Sequence, residues 1–257
     1  RTDGIHRIAI EDPTMPMLRS ALAGASVDVV PIPVDAEGVN VDALESAGVS
    51  AVVVTPAHQY PLGVSMTPAR RAALAAWARR TSSWIVEDDY DGEFRYDRQP
   101  IGALQGLAAD RVIYAGTASK SLAAGLRIAW LVVPAELVEP VARAKGRLGG
   151  VSGLEQAAFA QFIDGGALDR HVHMRGRVYR ARQAGLRAAL SDAVPTVALT
   201  GVSAGLHVAA LLPEGVDEAQ VLGHAAHHGF ALSGLGRHFA RLRQLLQGQR
   251  HHFVIDG

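Results

Sequence analysis

The chain predicts an α/β fold, in which a mainly parallel sheet flanked by helices is followed by a smaller C-terminal α+β domain. Three observations carry this reading. Short apolar runs recur at residues 8–10, 27–31, 51–55, 84–87, 112–115 and 128–133, several without polar alternation, as in strands covered on both faces. Helical patterns lie between some of them, and such alternation favours parallel pairing. Past Pro134 the strand signal gives way to long helical stretches.

Each element has its own local reason. Run 51–55 ends in a loop from Pro56 to Gly63 that carries His58, Gln59 and Tyr60. Thr67 then precedes Pro68, a cap-and-first-turn pair that starts a helix over 69–80, where Leu74, Trp77 and Ala78 share a face. Run 84–87 leads into Glu87, Asp88, Asp89 and Asp91, and run 112–115 leads toward Lys120. Residues 136–163 read as helical with a break at Gly149 and Gly150, and 169–191 as one long basic helix. Strands near 197–199 and 206–212 and a helix at 217–228 make the second portion. The expected division is residues 1–165 for the large α/β domain and 166–257 for the connecting helix and the small domain.

Composition narrows the class. Hydrophobic residues make up 49% and charged residues 19% of the 257, enough apolar surface for a substantial core and too much for a disordered chain. Lys+Arg 25 balance Asp+Glu 25, so no overall field draws the chain to nucleic acid. With no cysteine there are no disulfides or zinc thiolates, which fits a cytoplasmic protein. No run approaches the ~20 apolar residues of a membrane span. The arginines of the long helix (Arg170, Arg175, Arg177, Arg180, Arg182 and Arg187) read as a solvated or partner-facing surface, and His224, His227 and His228 as a surface cluster rather than a metal site.

The segment Tyr114-Ala-Gly-Thr-Ala-Ser-Lys120-Ser-Leu-Ala-Ala-Gly-Leu-Arg127 holds the most chemistry. A lysine at a strand end, flanked by hydroxyls, can present a neutral amine to an aldehyde. Thr117, Ser119 and Arg127 are the donors a phosphate would take. That combination suits pyridoxal phosphate, whose ring nitrogen stays protonated when a carboxylate faces it. Asp88 is the choice for that carboxylate and Tyr90 for the ring's phenolic oxygen. The same stretches also read as a solvated lysine in a Ser/Thr turn and as a solvated acidic loop.

Taken together, the runs Glu11-Asp-Pro, Val34-Asp-Ala-Glu-Gly-Val, Thr55-Pro-Ala-His-Gln-Tyr-Pro-Leu-Gly, Glu87-Asp-Asp-Tyr-Asp-Gly-Glu-Phe-Arg-Tyr and Gly116-Thr-Ala-Ser-Lys-Ser-Leu resemble the aminotransferase-like domain of the MocR/GabR subfamily of GntR transcriptional regulators. That domain is similar to fold-type I pyridoxal-phosphate aminotransferases. The resemblance runs from about residue 8 to 133, reappears in the helix at 171–190 and fades beyond 195. It implies an internal aldimine at Lys120, Asp88 on the pyridine nitrogen, Tyr90 on the phenolic oxygen, and Thr117, Ser119 and Arg127 on the phosphate. Arg237 matches the arginine that fixes a ligand carboxylate, with Arg250 a weaker match.

The sequence departs from the family pattern in four places. Thr14 and Met15 stand where the family has Gly and a ring-packing aromatic, Ala124 replaces a proline, and Trp130 replaces a tyrosine. The chain opens at Arg1, so the expectation is an N-terminally truncated fragment whose winged-helix DNA-binding domain and Gly-rich phosphate turn lie upstream. The function implied is effector sensing in a homodimer, with an amino-group ligand as effector and DNA contacted only through the upstream domain. Two alternatives remain: an active aminotransferase, and a scaffold that has lost the cofactor and serves only in dimerisation.

Overall fold

The computed structural model describes residues 5–96, 102–239 and 252–256. Arg250 lies outside them. The order begins β1 (Arg7–Asp12), α1 (Pro16–Gly24), β2 (Asp28–Asp35), β3 (Gly38–Val39), α2 (Val41–Ala47), β4 (Ala51–Val54) and α3 (Pro68–Thr81). It continues with β5 (Trp84–Asp89), β6 (Val112–Thr117) and β7 (Ala129–Val132). Three helices follow, α4 (Val138–Arg147), α5 (Gly153–Asp164) and α6 (Ala167–Ala193). Last come β8 (Ala198–Thr200), β9 (His207–Leu211), α7 (Glu218–His227), β10 (Ser233–Gly234) and β11 (His252–Asp256).

The first sheet has seven strands in the order β3-β2-β1-β4-β5-β6-β7. β2, β1, β4, β5 and β6 run parallel, while β3 and β7 pair antiparallel at the edges. The order reverses at β1, so a crevice opens beyond the carboxyl ends of β1 and β4, where ligands settle in open α/β sheets. The second sheet is antiparallel, in the order β10-β11-β9-β8.

Strand periodicity builds the core on both faces. Ala9, Val52, Val54 and Ile85 point to one face and pack with Leu74, Ala75, Trp77 and Ala78 of α3 and Leu44 of α2. Ile8, Ile10, Ala51 and Val53 point to the other, against Leu18 and Leu22 of α1. Helix α3 starts as expected: the Thr67 hydroxyl accepts the Arg70 N–H at 3.3 Å and Pro68 occupies the first turn. Helices α1 and α2 go beyond the sequence reading. For α2 the signals were present, since the Asn40 side chain accepts the Ala43 N–H and Gly48 closes the helix in the left-handed region.

The second sheet is tied to the first by loop contacts. Val202 N–H donates to the Gly63 carbonyl, Gly205 N–H to the Phe94 carbonyl and Tyr96 N–H to the Ser203 carbonyl. Phe94 meets Tyr179 of α6 edge-on, with ring centroids 5.1 Å apart. These contacts bring residues distant in sequence to the carboxyl edge of the parallel strands. Among the described residues, no helix is long and apolar enough to cross a membrane.

Candidate functional site

Four strand ends supply the base of the site. At the end of β1, Glu11 is fully buried, and its Oε2 accepts from the Thr55 N–H (3.1 Å), the Thr55 hydroxyl (2.6 Å) and the Gln59 amide (3.3 Å). Its Oε1 has no partner. Burial pushes its carboxyl up to about 7, against the pull of those hydrogen bonds. Gln59 also donates to the carbonyls of Pro13 and Tyr60 and accepts from Leu62 N–H. The polar residues of this loop thus hold its shape and present Tyr60.

The acidic run at the end of β5 is not a solvated loop. Glu87 is buried and accepts the N–H groups of Leu104 (2.8 Å) and Gln105 (2.9 Å). Asp89 accepts the Tyr114 hydroxyl and the Gly92 N–H. Asp91 faces His58 Nδ1 at 2.9 Å and accepts Leu206 N–H at 3.2 Å. Of these four acids, only Asp88 has a side chain without a hydrogen bond among the described residues. Its carboxyl is raised to about 6 by burial and by the neighbouring Asp89 and Asp91 charges.

Tyr90 is buried, and its hydroxyl donates to the His58 carbonyl at 2.9 Å. Burial and the Asp91 charge hold its phenol above the usual range. Gly205 allows the approach of this cluster: at φ +68°, a Cβ there would lie 2.0 Å from His58 Nδ1 and 2.5 Å from Asp91 Oδ2. His207 lies against His58, with ring centroids 4.4 Å apart and planes tilted by 36°. It is held neutral, because burial and then the neighbouring His58 lower its pKa well below the usual value. His207 Nε2 is buried without a partner. His58, Asp91 and His207 bring ligating atoms within 4.8 Å of one another, a grouping that the sequence reading did not anticipate.

β6 leads to Lys120. Asp88 is paired in register with Ala115, so the acid and the lysine leave adjacent parallel strands at the same edge. The turn between Thr117 and Lys120 is self-bonded: Thr117 Oγ1 accepts Ser119 N–H at 3.1 Å and donates to the Ile128 carbonyl at 3.3 Å. Arg127 is exposed and sits at φ +52°. Trp130, a departure from the family pattern, lies over Gly116, where a Cβ would come within 2.4 Å of the indole.

A cavity of about 400 Å³ opens here, lined by Tyr60, Tyr90, Ser119, Lys120, His207 and Arg237, with Met15 and Met17 among the rest. Of the sequence-named residues, Lys120, Ser119, Tyr90 and Arg237 line it; Asp88, Thr117 and Arg127 do not. Lys120 is exposed at this wall. Met15, in the family's aromatic position, lines it too. Tyr60 was named from sequence in its strand-end loop and Tyr179 lies in the family-like helix, but neither was assigned to a site; His207, Met17 and Leu206 were not singled out and come from distant segments. The segment bearing Arg237 is stitched to α1, with Thr14 N–H donating to the His238 carbonyl and Arg19 to the carbonyls of His238 and Phe239. At the end of α7 the ring of His228 lies 4.4 Å from that of His224, tilted, and 5.3 Å from that of His227, edge-on.

The family model for aminotransferase class I and II matches residues 2–224. The chain is 41% identical to the uncharacterized HTH-type transcriptional regulator YhdI of Bacillus subtilis over 229 residues, covering 88% of this chain and 49% of that protein. It is 34% identical over 236 residues to a probable rhizopine catabolism regulatory protein, MocR, of Rhizobium meliloti, covering 90% and 47%. The chain therefore spans about half the length of these curated relatives. Among solved structures, kynurenine aminotransferase of Pyrococcus horikoshii, determined with PMP, superposes with a TM-score of 0.87 at 29% identity, covering 97% of this chain and 64% of that one. The mainly parallel sheet with Lys120 at its carboxyl edge, the motif order and these likenesses agree: the chain belongs to the aminotransferase class I and II family, and its relatives include MocR-type HTH transcriptional regulators.

Proposed function

We propose that this chain is the effector-sensing domain of a MocR-type transcriptional regulator, and that it holds pyridoxal 5'-phosphate in the cavity at Lys120. The carrying observation is the donor set. An exposed lysine shares a cavity with Ser119, Tyr90 and Arg237, and the half-buried Asp88, which lies outside that lining but near Tyr90, makes no side-chain hydrogen bond among the described residues. That set fits the cofactor, which brings an aldehyde, a basic ring nitrogen and a phosphate. Pyridoxal phosphate supplies an electron-withdrawing ring that activates an amino group attached to it.

In this reading Lys120 provides the amine for the aldehyde. The sequence has two lysines, and the other, Lys145, lies on α4 away from the cavity lining. Asp88 pairs with the protonated ring nitrogen, which satisfies a carboxylate that burial otherwise penalises. Tyr90 serves the phenolic oxygen once its hydroxyl leaves the His58 carbonyl. Ser119, Thr117 and Arg127 serve the phosphate, with Thr117 turning from the Ile128 carbonyl. Arg237 takes the carboxylate of an amino-group effector. The domain division at 165/166, a homodimer, and DNA contact through a separate N-terminal winged helix belong to the same proposal.

Exchange of Lys120 for the effector's amine alters the charge beside Asp88, so the effector favours one conformer over another by its differential affinity. The likeness to an aminotransferase favours a second reading, multiple-turnover transamination, with Lys120 moving the proton. Substitution at Met15 favours a third, a scaffold without cofactor, because ring stacking worth about 0.5–1.5 kcal/mol is lost there. A titration of the intact protein with pyridoxal phosphate, followed by amino donors and a keto acid, separates the three. Cofactor uptake with a single spectral shift supports the sensor, sustained keto-acid turnover the enzyme, and no uptake the scaffold.

A further inference from the structure

We propose that His58, Asp91 and His207 form a binding site for a divalent transition-metal ion such as Zn²⁺. The site neither uses Lys120 nor needs the cofactor, so it stands or falls independently of the function proposed above. Its three side chains come from separate parts of the fold: the loop after β4, the segment after β5 and the first position of β9. They are only 3%, 2% and 4% exposed. Among the described residues, they are the one set of three ligating side chains whose donor atoms lie within 4.8 Å of one another.

The unsatisfied atom in this cluster is a nitrogen lone pair. His207 Nε2 is buried without a hydrogen-bond partner, while the ring also hydrogen-bonds to the Pro61 backbone. A backbone carbonyl on one ring nitrogen fixes the proton there and leaves the other nitrogen bare, the tautomer in which metal-bound histidines are held. His58 Nδ1 and Asp91 Oδ2 stand 2.9 Å apart, in a hydrogen bond whose proton a metal ion can replace. Donor atoms about 2.0–2.1 Å from a tetrahedral ion stand ~3.4 Å from one another. That spacing falls between the 2.9 Å of the His58–Asp91 pair and the 4.8 Å outer limit of the cluster. The Tyr90 hydroxyl, 3.3 Å from His58 Nδ1, is within reach of a fourth position. Asp88, Asp89 and Glu93 all feel the negative charge of Asp91, so a cation beside it relieves their repulsion. Two imidazoles and one carboxylate suit Zn²⁺ and its first-row neighbours, whereas Mg²⁺ and Ca²⁺ take oxygen ligands.

The test is calorimetric titration of the intact protein, stripped of metal with a chelator, with Zn²⁺ and separately with Mg²⁺, while Tm is followed in parallel. One Zn²⁺ per chain should bind and raise Tm, because an ion held only by the folded chain stabilises it. Asp91→Asn and His207→Gln should each weaken that binding at least about a hundredfold, the upper end of what losing a mere supporting partner costs. Both should also remove the rise in Tm. Replacing His224, His227 and His228 with glutamine should leave the binding intact. Co²⁺ gives a reading that needs no variant: the intense visible bands of a four- or five-coordinate site are expected. No stoichiometric Zn²⁺ binding, or only the weak spectrum of aqueous Co²⁺, overturns the proposal. So does unchanged binding in either folded site variant, loss of binding with the α7 histidines, or Mg²⁺ binding as tight as Zn²⁺. Cofactor uptake, measured on the same protein, judges the earlier reading separately.

Discussion

The two halves of this chain bury their residues very differently. In the sheet region, β1, β4 and β5 with α3 enclose Ile10, Leu74, Trp77 and Ile85 at 2% exposure or less. Across α4, α5 and α6, by contrast, no residue is fully buried, and Leu148 and Leu154 are more than 80% exposed. The candidate site straddles this divide. Tyr60, Tyr90 and Lys120 are carried by the packed sheet, while Tyr179 and Arg237 reach in from the long helix and the C-terminal segment. The chemistry thus stands on the well-packed half, and the surface that would meet a ligand draws also on the sparsely buried half.

Core deletions should expose this contrast most strongly. Trp77→Ala should cost about 3–5 kcal/mol in urea unfolding, whereas Leu154→Ala should stay within about 0.5 kcal/mol. Similar losses at the two positions would erase the distinction.

Glu11 gives the next largest effect. Its carboxyl lies near 7 in the folded chain against an ordinary 4.5. A raised acid contributes stability that is fully present below 4.5 and lost as pH rises through 7, up to about 3 kcal/mol. Denaturation at pH 5 and pH 8 should therefore show the stability difference moving in favour of Glu11→Gln at the higher pH. A difference independent of pH would remove the buried acid from the account.

A smaller effect tests the site itself. Asp88 titrates near 6 without cofactor, and pairing with the ring nitrogen must lower that value. Cofactor affinity should then fall by up to about tenfold per pH unit below 6, and Asp88→Asn should abolish that slope. Retention of the slope in the variant would place the titrating group elsewhere. The smallest contrast is between helix starts. Thr67→Ala, which removes an observed cap, should cost about 1 kcal/mol. Ser152→Ala should cost little, since the Ser152 side chain makes no capping bond on α5.

Sequence legibility follows the same divide. The parallel strands, the acid ending β5 and the lysine beyond β6 could be read locally because each is a short apolar run followed by polar residues. The expected break at Gly149 and Gly150 falls between α4 and α5. The acidic run was harder, because whether Glu87, Asp89 and Asp91 are solvated depends on Leu104, Tyr114 and His58, which only folding brings near. His207 in the cavity wall carries no local mark, and Tyr179 is marked only by the family-like helix that bears it, not as a cavity residue. Their places are set by the docking of the 200–207 turn on two loops and by the ring of Phe94.

The central claim is that Lys120, and not Lys145, meets the cofactor's aldehyde. The direct measurement is borohydride reduction of the intact protein after incubation with pyridoxal phosphate, followed by peptide mass mapping. The account requires the phosphopyridoxyl mass on the peptide containing Lys120, and its loss in Lys120→Ala. The mass on Lys145 alone, or on neither lysine, would contradict it.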